Sequence, residues 1–292
     1  MATNYPTLEV EVSRRRRGPG RPVNLPAVGM PPARLDPTFP SPPVFYTEPK
    51  VSVLARPSFS EPPHLAVHWL GESTDGERLA EFAGRLCYMS QANPAGRATR
   101  DYIENIKKQR HGSVLEHASY SLLIEGVSRA LTHELVRHRA GVAFSQLSQR
   151  YVDESEANFV VPPAILGDVM LESQWRAEME RAQSAYVALV RELMERYGWV
   201  ADRVHRRKMA REAARGVLPN STETKIVVTA NARAWRTILE LRGGEGADLE
   251  IRRLAVAIVR LLQREAPAFF CDFEIYVADD QREAARVEHS KV

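Results

Sequence analysis

The chain is short of several residue types at once, and each shortage excludes something. It has two cysteines, Cys87 and Cys271. Two thiols cannot make a disulfide framework, and these do not sit at metal-ligand spacing. They fit a reducing compartment and are expected to pack as small apolar side chains. No apolar run approaches the ~20 residues of a membrane-spanning helix. The N-terminus lacks a hydrophobic signal core. The expected location is therefore cytoplasmic, with no membrane contact. Cofactor and nucleophile signatures are missing too. There is no GxGxxG after a strand, no GxxxxGK[ST], no HExxH and no GxSxG. Neither cysteine has a histidine partner in a catalytic arrangement. Proline is scarce beyond residue 63, since fourteen of the nineteen lie before it.

Lysine is also scarce, six against thirty-four arginines. Arginine is the residue for planar, bidentate recognition of phosphate or carboxylate. Genomic base composition would give the same bias. Net charge is only +3, so bulk charge requires no nucleic-acid partner. With 292 residues, 44% hydrophobic and 26% charged, the chain suits one large domain or two small ones.

Residues 1–63 read as a disordered Pro/Arg-rich tail, because so few long apolar residues cannot offset the entropy of ordering. Its run RRRRGPGRPV, Arg14 to Val23, could contact a nucleic-acid backbone or minor groove, or could be a solvated tail. Residues 64–280 form the expected folded domain, and 281–292 a flexible C-terminal tail. Within the domain, ERLAEFAGRLCYMS has helical periodicity, with Leu79, Phe82, Leu86 and Cys87 on one side. Residues 117–128 and 224–230 read as strands, and 269–277 as a last one. Residues 128–139, 172–198, 206–217, 231–242 and 247–267 read as helices. The fold class is α/β (α+β), a modest sheet packed with long helices.

The richest stretch is RHRAGVAFSQLSQRY, Arg137 to Tyr151. It carries cations, hydroxyls and amides but no carboxylate. It reads as a helix end running into a loop, with Glu134 spaced to orient Arg137 or His138. Gly141 permits close backbone approach. Ser145, Gln146, Ser148, Gln149 and Arg150 suit an oxyanion and a heterocycle edge. A buried ion-pair network with Glu134 and Asp153 is the alternative. A second cluster comprises Arg215 and, on one helix, Asn231, Arg233, Arg236 and Arg242. Asn231 and Arg242 are eleven apart, about three turns, and can point the same way.

RHR followed by SQLSQRYV resembles the signature of flavin-dependent thymidylate synthases. HGSVLEHASYS, THELVRHR, ARGVLPNSTETKIVVTANARAWR and ELRGGEGADLEIRRLAV resemble the family in matching order, from about residue 64 to 277. The resemblance implies the family's fold, a homotetramer with sites built from several subunits, and an enzyme that makes dTMP from dUMP. Methylenetetrahydrofolate would supply the carbon, FAD the hydride and NADPH the reducing equivalents. By the same resemblance, Ser113, Arg137, His138, Arg139, Gln146, Asn231 and Arg233 would contact FAD. Glu134, Leu135, Val136, Arg137, Gln146, Leu147, Ser148, Gln149, Arg150, Arg215 and Arg242 would contact dUMP, with Arg242 polarising the uracil ring.

The chain departs from the family pattern in places. Eight residues, 140–147, separate Arg139 from Ser148, where the pattern has seven. Gly141 is the expected place for the extra residue. Thr237 and Gly246 stand where many relatives carry His, and weaker flavin retention is expected. The alternative reading is a nucleotide-binding paralogue with weakened or lost flavin chemistry.

Overall fold

The computed structural model describes residues 42–292. Strands β1 (Phe45–Tyr46) and β2 (Lys50–Ala55) come first. Helix α1 (Asp75–Leu86) opens on a capping box. The Thr74 hydroxyl accepts from the Glu77 N–H, and the Glu77 carboxylate accepts from the Thr74 N–H. Helix α2 (Thr99–Lys108) and a 3-10 turn (Gly112–His117) lead into β3 (Ser119–Ser128). Ser128 ends that strand and caps α3 (Arg129–Leu135), its hydroxyl accepting from the Leu131 N–H at 3.1 Å. Strands β4 (Val142–Gln146) and β5 (Phe159–Val160) precede the long helix α4 (Val169–Arg196), capped by Asp168. Next come α5 (Arg203–Ala214), β6 (Glu223–Asn231), α6 (Ala232–Gly243) and α7 (Leu249–Glu265). The single turn α8 (Pro267–Phe270) and the hairpin of β7 (Phe273–Val277) and β8 (Glu283–Val287) finish the domain.

The main sheet has the order β2-β3-β6-β4, and every pairing in it is antiparallel. That makes the fold α+β. Alternation along β3 buries Leu122 and Ile124 and leaves Ser121, Leu123 and Glu125 on the other face. The buried face meets α6 and α7. Trp235 lies wholly in this core and donates its indole N–H to the Tyr120 carbonyl at 3.2 Å. The outward face is polar where it can be paired: Ser121 bonds Thr229 at 2.7 Å, and Lys225 pairs with Glu125 at 2.7 Å.

A buried ion knot fastens the helices. Asp272 accepts from both terminal nitrogens of Arg236 at 2.7 and 2.8 Å and from Lys107 at 3.0 Å. Arg236 therefore joins α6 to the α8–β7 turn, and Lys107 brings in α2. Burial alone would raise the Asp272 carboxyl, but the hydrogen bonds and charges of Arg236 and Lys107 outweigh it and hold the pKa at about 2.

Four expectations change. The part of the expected tail from 42 to 63 is not a tail, because β2 pairs with β3 through Val51↔Ile124 and Val53↔Leu122. Val51 and Val53 pack on the core, and this short apolar alternation was hidden among prolines. The rest of the tail, with its basic run, lies outside the described residues. Residues 281–292 are likewise built in: β8 pairs with β7, and Val292 is buried. The stretch after Arg139 is a strand, not a loop, as β4 pairs with β6 from Val142↔Ala230 to Gln146↔Ile226. Both cysteines are exposed, each just past a helix end, where a small side chain has no core to enter.

Asp272→Asn is expected to cost about 3–5 kcal/mol, because it leaves two buried cations short of their counter-charge. Denaturant unfolding measures this. With a native pKa near 2 against an ordinary value of 3.8, the stabilisation is full above about pH 4 and fades as pH falls through 2.

Candidate functional site

Helix α3 organises the site from both its ends. At its C-terminal end, Glu134 and His138 meet Arg242 from the end of α6. The Arg242 guanidinium donates to the Glu134 carboxylate at 2.8 Å and to His138 Nε2 at 3.0 Å. Glu134 was expected to orient Arg137 or His138; it holds Arg242 instead. Burial and the Arg242 charge both lower the His138 pKa. The imidazole is thus neutral at physiological pH, accepting through Nε2 and carrying its proton on Nδ1.

Arg137 and Arg139 project outward, with no hydrogen-bond or ion-pair partner among the described residues. The ion-pair alternative to a ligand site fails for them. Asp153 pairs with Arg211 instead, at 2.6 Å. Leu135 is buried in the main core and Val136 packs on it.

Gly141 turns the chain from α3 into β4. Its φ is +67°, and a Cβ there would lie 2.6 Å from Asn231 Nδ2. Only glycine fits both demands. Asn231 meanwhile caps α6, its side-chain oxygen accepting from the Ala234 N–H at 2.8 Å. Two residues on, Arg233 donates to Glu116 at 2.6 Å and to the Val292 carbonyl at 3.3 Å. Glu116 belongs to the 3-10 turn that exposes Ser113. Ser113, Gly141, Asn231 and Arg233 therefore gather around the start of α6. Arg236 does not join them: buried against Asp272, it is part of the core.

At the N-terminal end of α3, a second set of donors is fixed by β4. Gln146 donates to the Thr132 hydroxyl at 3.1 Å and to the Thr224 hydroxyl at 3.3 Å. The Leu147 carbonyl accepts from Arg129 at 2.9 Å, and its N–H bonds the Lys225 carbonyl at 2.9 Å. The turn that follows exposes Arg150, which pairs with Glu212 of α5 at 2.7 Å. Its Ser148 hydroxyl accepts from the Arg150 N–H at 3.3 Å. Gln149 is buried and its Nε2 has no hydrogen-bond partner among the described residues. Arg215 lies exposed just past α5. No hydrogen bond or ion pair among the described residues joins Arg150 or Arg215 to the Arg242 cluster.

Sequence reasoning missed Arg129 and Glu154. Arg129 holds the Leu147 carbonyl, and Glu154 is buried just beyond the turn. Burial pushes the Glu154 pKa up to about 7; Arg129 opposes the shift, and Glu223 and Asp153 add to it. The only available signal was charge inside a motif flank, which looks the same on a solvated turn.

The donor sets suit an anionic heterocyclic ligand: unpaired guanidiniums, hydroxyls, amides and a clamped Arg242. Comparison with known proteins agrees. The family model described as "Thymidylate synthase complementing protein" matches residues 69–268. The flavin-dependent thymidylate synthase of Mycobacterium sp. (strain JLS) is 48% identical over 242 residues, covering 81% of this chain and 94% of that one. That of Mycobacteroides abscessus is 45% identical over 238 residues, with the same coverage of 81% and 94%. Among solved structures, the UMP/dUMP methylase PolB of Streptomyces cacaoi bound with 5-Br UMP superposes with a TM-score of 0.57 at 23% identity. It covers 79% of this chain and 95% of that one. At that identity the likeness concerns the fold.

The raised Glu154 pKa has a sign. The unfolded carboxyl ionises near 4.5 and the folded one near 7, so stability falls as pH rises between those values and the cost is complete above 7. Glu154→Gln is expected to raise the melting temperature at pH 8 and to change it little at pH 4.5. Scanning calorimetry at the two pH values measures this.

Proposed function

The chain belongs to the flavin-dependent thymidylate synthase family, and on that premise we propose that it makes dTMP from dUMP in the cytoplasm. Methylenetetrahydrofolate is the proposed carbon donor and NADPH the reductant, with FAD as cofactor. The observation that carries this reading is Arg242 clamped by Glu134 and His138 beside a stretch rich in unpaired donors.

The residues fit a flavin dinucleotide. Arg137 and Arg139 offer guanidiniums without counter-ions, and Gly141 leaves no side chain between β4 and Asn231. In this reading Ser113, Arg137, His138, Arg139, Gln146, Asn231 and Arg233 hold FAD, which supplies hydride transfer when bound. Glu134, Arg137, Gln146, Ser148, Gln149, Arg150, Arg215 and the backbone of Leu135, Val136 and Leu147 hold dUMP. Arginines and the Ser148 hydroxyl neutralise the phosphate, while amide groups meet the base edge.

Arg242 is the proposed catalytic residue. Its guanidinium stabilises negative charge that develops on the uracil ring. Glu134 and His138 restrict its rotamers, so little reorganisation is needed as charge appears. The neutral His138 ring accepts from Arg242 without competing with it for the ligand's charge. No protein thiolate takes part in this reading; Cys87 and Cys271 stand at the C-terminal ends of α1 and α8.

A homotetramer follows from the family reading. The absence of any hydrogen bond or ion pair joining Arg150 or Arg215 to Arg242 among the described residues is compatible with a site completed by a second copy. Equilibrium sedimentation measures the assembly.

Mixed with dUMP, methylenetetrahydrofolate, FAD and NADPH, the purified protein is expected to yield dTMP; FAD-loaded protein that yields none overturns the reading. Arg242→Ala is expected to cut turnover by about 100-fold or more while changing dUMP affinity by about threefold or less. Equal losses in both would reduce Arg242 to a binding role.

A second reading, a nucleotide-binding paralogue with weakened flavin chemistry, is favoured by two positions. Thr237 turns its hydroxyl back to the Arg233 carbonyl at 3.1 Å, and Gly246 has open space around it. Neither offers the flavin an imidazole. The visible spectrum of the protein as purified decides: a colourless protein that takes up no added FAD yet binds dUMP supports this second reading.

A further inference from the structure

Three polar atoms lie buried without a hydrogen-bond partner among the described residues around the Leu147–Glu154 segment: Arg129 Nε, Gln149 Nε2 and Glu154 Oε1. Glu154 is 6% exposed, and the proposed chemistry makes no use of it. A buried carboxyl left incompletely bonded costs stability, so its retention beside a ligand turn calls for a physical account.

We propose that Glu154 is a proton-coupled positioning residue for the nucleotide site, acting through Arg129 on the Leu147–Arg150 turn and taking up a proton when a nucleotide phosphate docks there. The inference rests on the dUMP reading above and deepens it.

Arg129 is the link. It holds the Leu147 carbonyl at 2.9 Å, and its electrostatic neighbours are Glu154, Arg215 and Glu223. Glu154, Arg215 and Glu223 thus act on Arg129 through their charges, with no direct ion pair to it among the described residues. With both carboxylates ionised, the quartet is neutral. The Glu223 carboxylate is engaged by the Gly126 N–H at 3.0 Å. Asp153, on the same turn, is paired with Arg211 of α5. From α4, Tyr186 presents a hydroxyl that accepts from the Glu154 N–H at 3.4 Å.

A phosphate drawn to Arg215 and Arg150 adds negative charge to this quartet. Of the groups facing the space, Glu154 has its proton affinity raised close to neutrality, to about 7. The incoming charge raises it further, and the carboxylate takes a proton from solvent. Protonation offsets part of the incoming charge and leaves Arg129 bonded to the Leu147 carbonyl. A purely structural Glu154 would show no such coupling.

The test is calorimetric titration of dUMP into the FAD-loaded enzyme at pH 7, repeated in buffers of different ionisation enthalpy. For a phosphate-induced shift of one pH unit, the wild type takes up about 0.4 proton more than Glu154→Gln. Deoxyuridine, lacking the phosphate, shows no such difference. Equal proton uptake in two proteins that both bind dUMP overturns the inference and leaves the dUMP reading standing. No dUMP binding by the wild type overturns both. Should Glu154→Gln not fold, Glu223→Gln replaces it. Losing that neighbouring charge lowers the proton affinity of Glu154, so the pH of maximal uptake falls below that of the wild type. An unmoved maximum overturns the inference.

Discussion

The double pairing of β6 is the constraint from which the site follows. Its backbone is bonded to β3 along one edge and to β4 along the other. β4 is five residues long and would be marginal alone. Locked to β6 in fixed register, it carries Gly141 to one end of the sheet and Gln146 to the other. β6 itself supplies Asn231 at its C-terminal end and Thr224 near its start. A slip of one residue would turn Gln146 from its two threonine partners to the outward face. The side chains at the two ends of β4 are thereby spaced by main-chain bonds rather than by loop packing.

Helix α3 adds the second half of the frame. Seven residues long, it is too short to persist without tertiary support. It is held at its start by Ser128, whose N–H and hydroxyl both donate to Glu250 at 2.7 Å. Leu131 and Leu135 fix it to the core. Its polar residues can then face two ways, Arg129 and Thr132 toward the β4 side and Glu134 toward Arg242. One short helix couples the position of the turn at Ser148 to the orientation of the guanidinium at the end of α6.

Much of this was legible in the chain. Long amphipathic helices and the apolar alternation of β3 and β6 have strong periods, and the motif stretch lacks carboxylates of its own. What was not legible depended on partners distant in sequence. β2 is short and sits among prolines, so only its pairing with β3 reveals it. AGVAF reads as a spacer because its Ala and Gly residues dilute the strand preference of Val142 and Phe144, yet β6 makes it a strand. Arg236 and Arg242 look alike on one helix six residues apart; Asp272 claims one for the core, and Glu134 claims the other for the site. Burial of Glu154 has no sequence signature at all.

The left-handed turn at Gly141 also constrains how this stretch can change over time. The spacer between Arg139 and Ser148 passes through Gly141, where φ is +67° and where a methyl group would collide with Asn231. Length and glycine are therefore tied: losing the glycine while keeping the longer spacer forces either a strained backbone or a displaced helix cap. Shortening the spacer while keeping the register of β4 pulls on the end of α3 instead. The spacer therefore tolerates a change at Gly141 poorly unless its length and the Asn231 cap change with it.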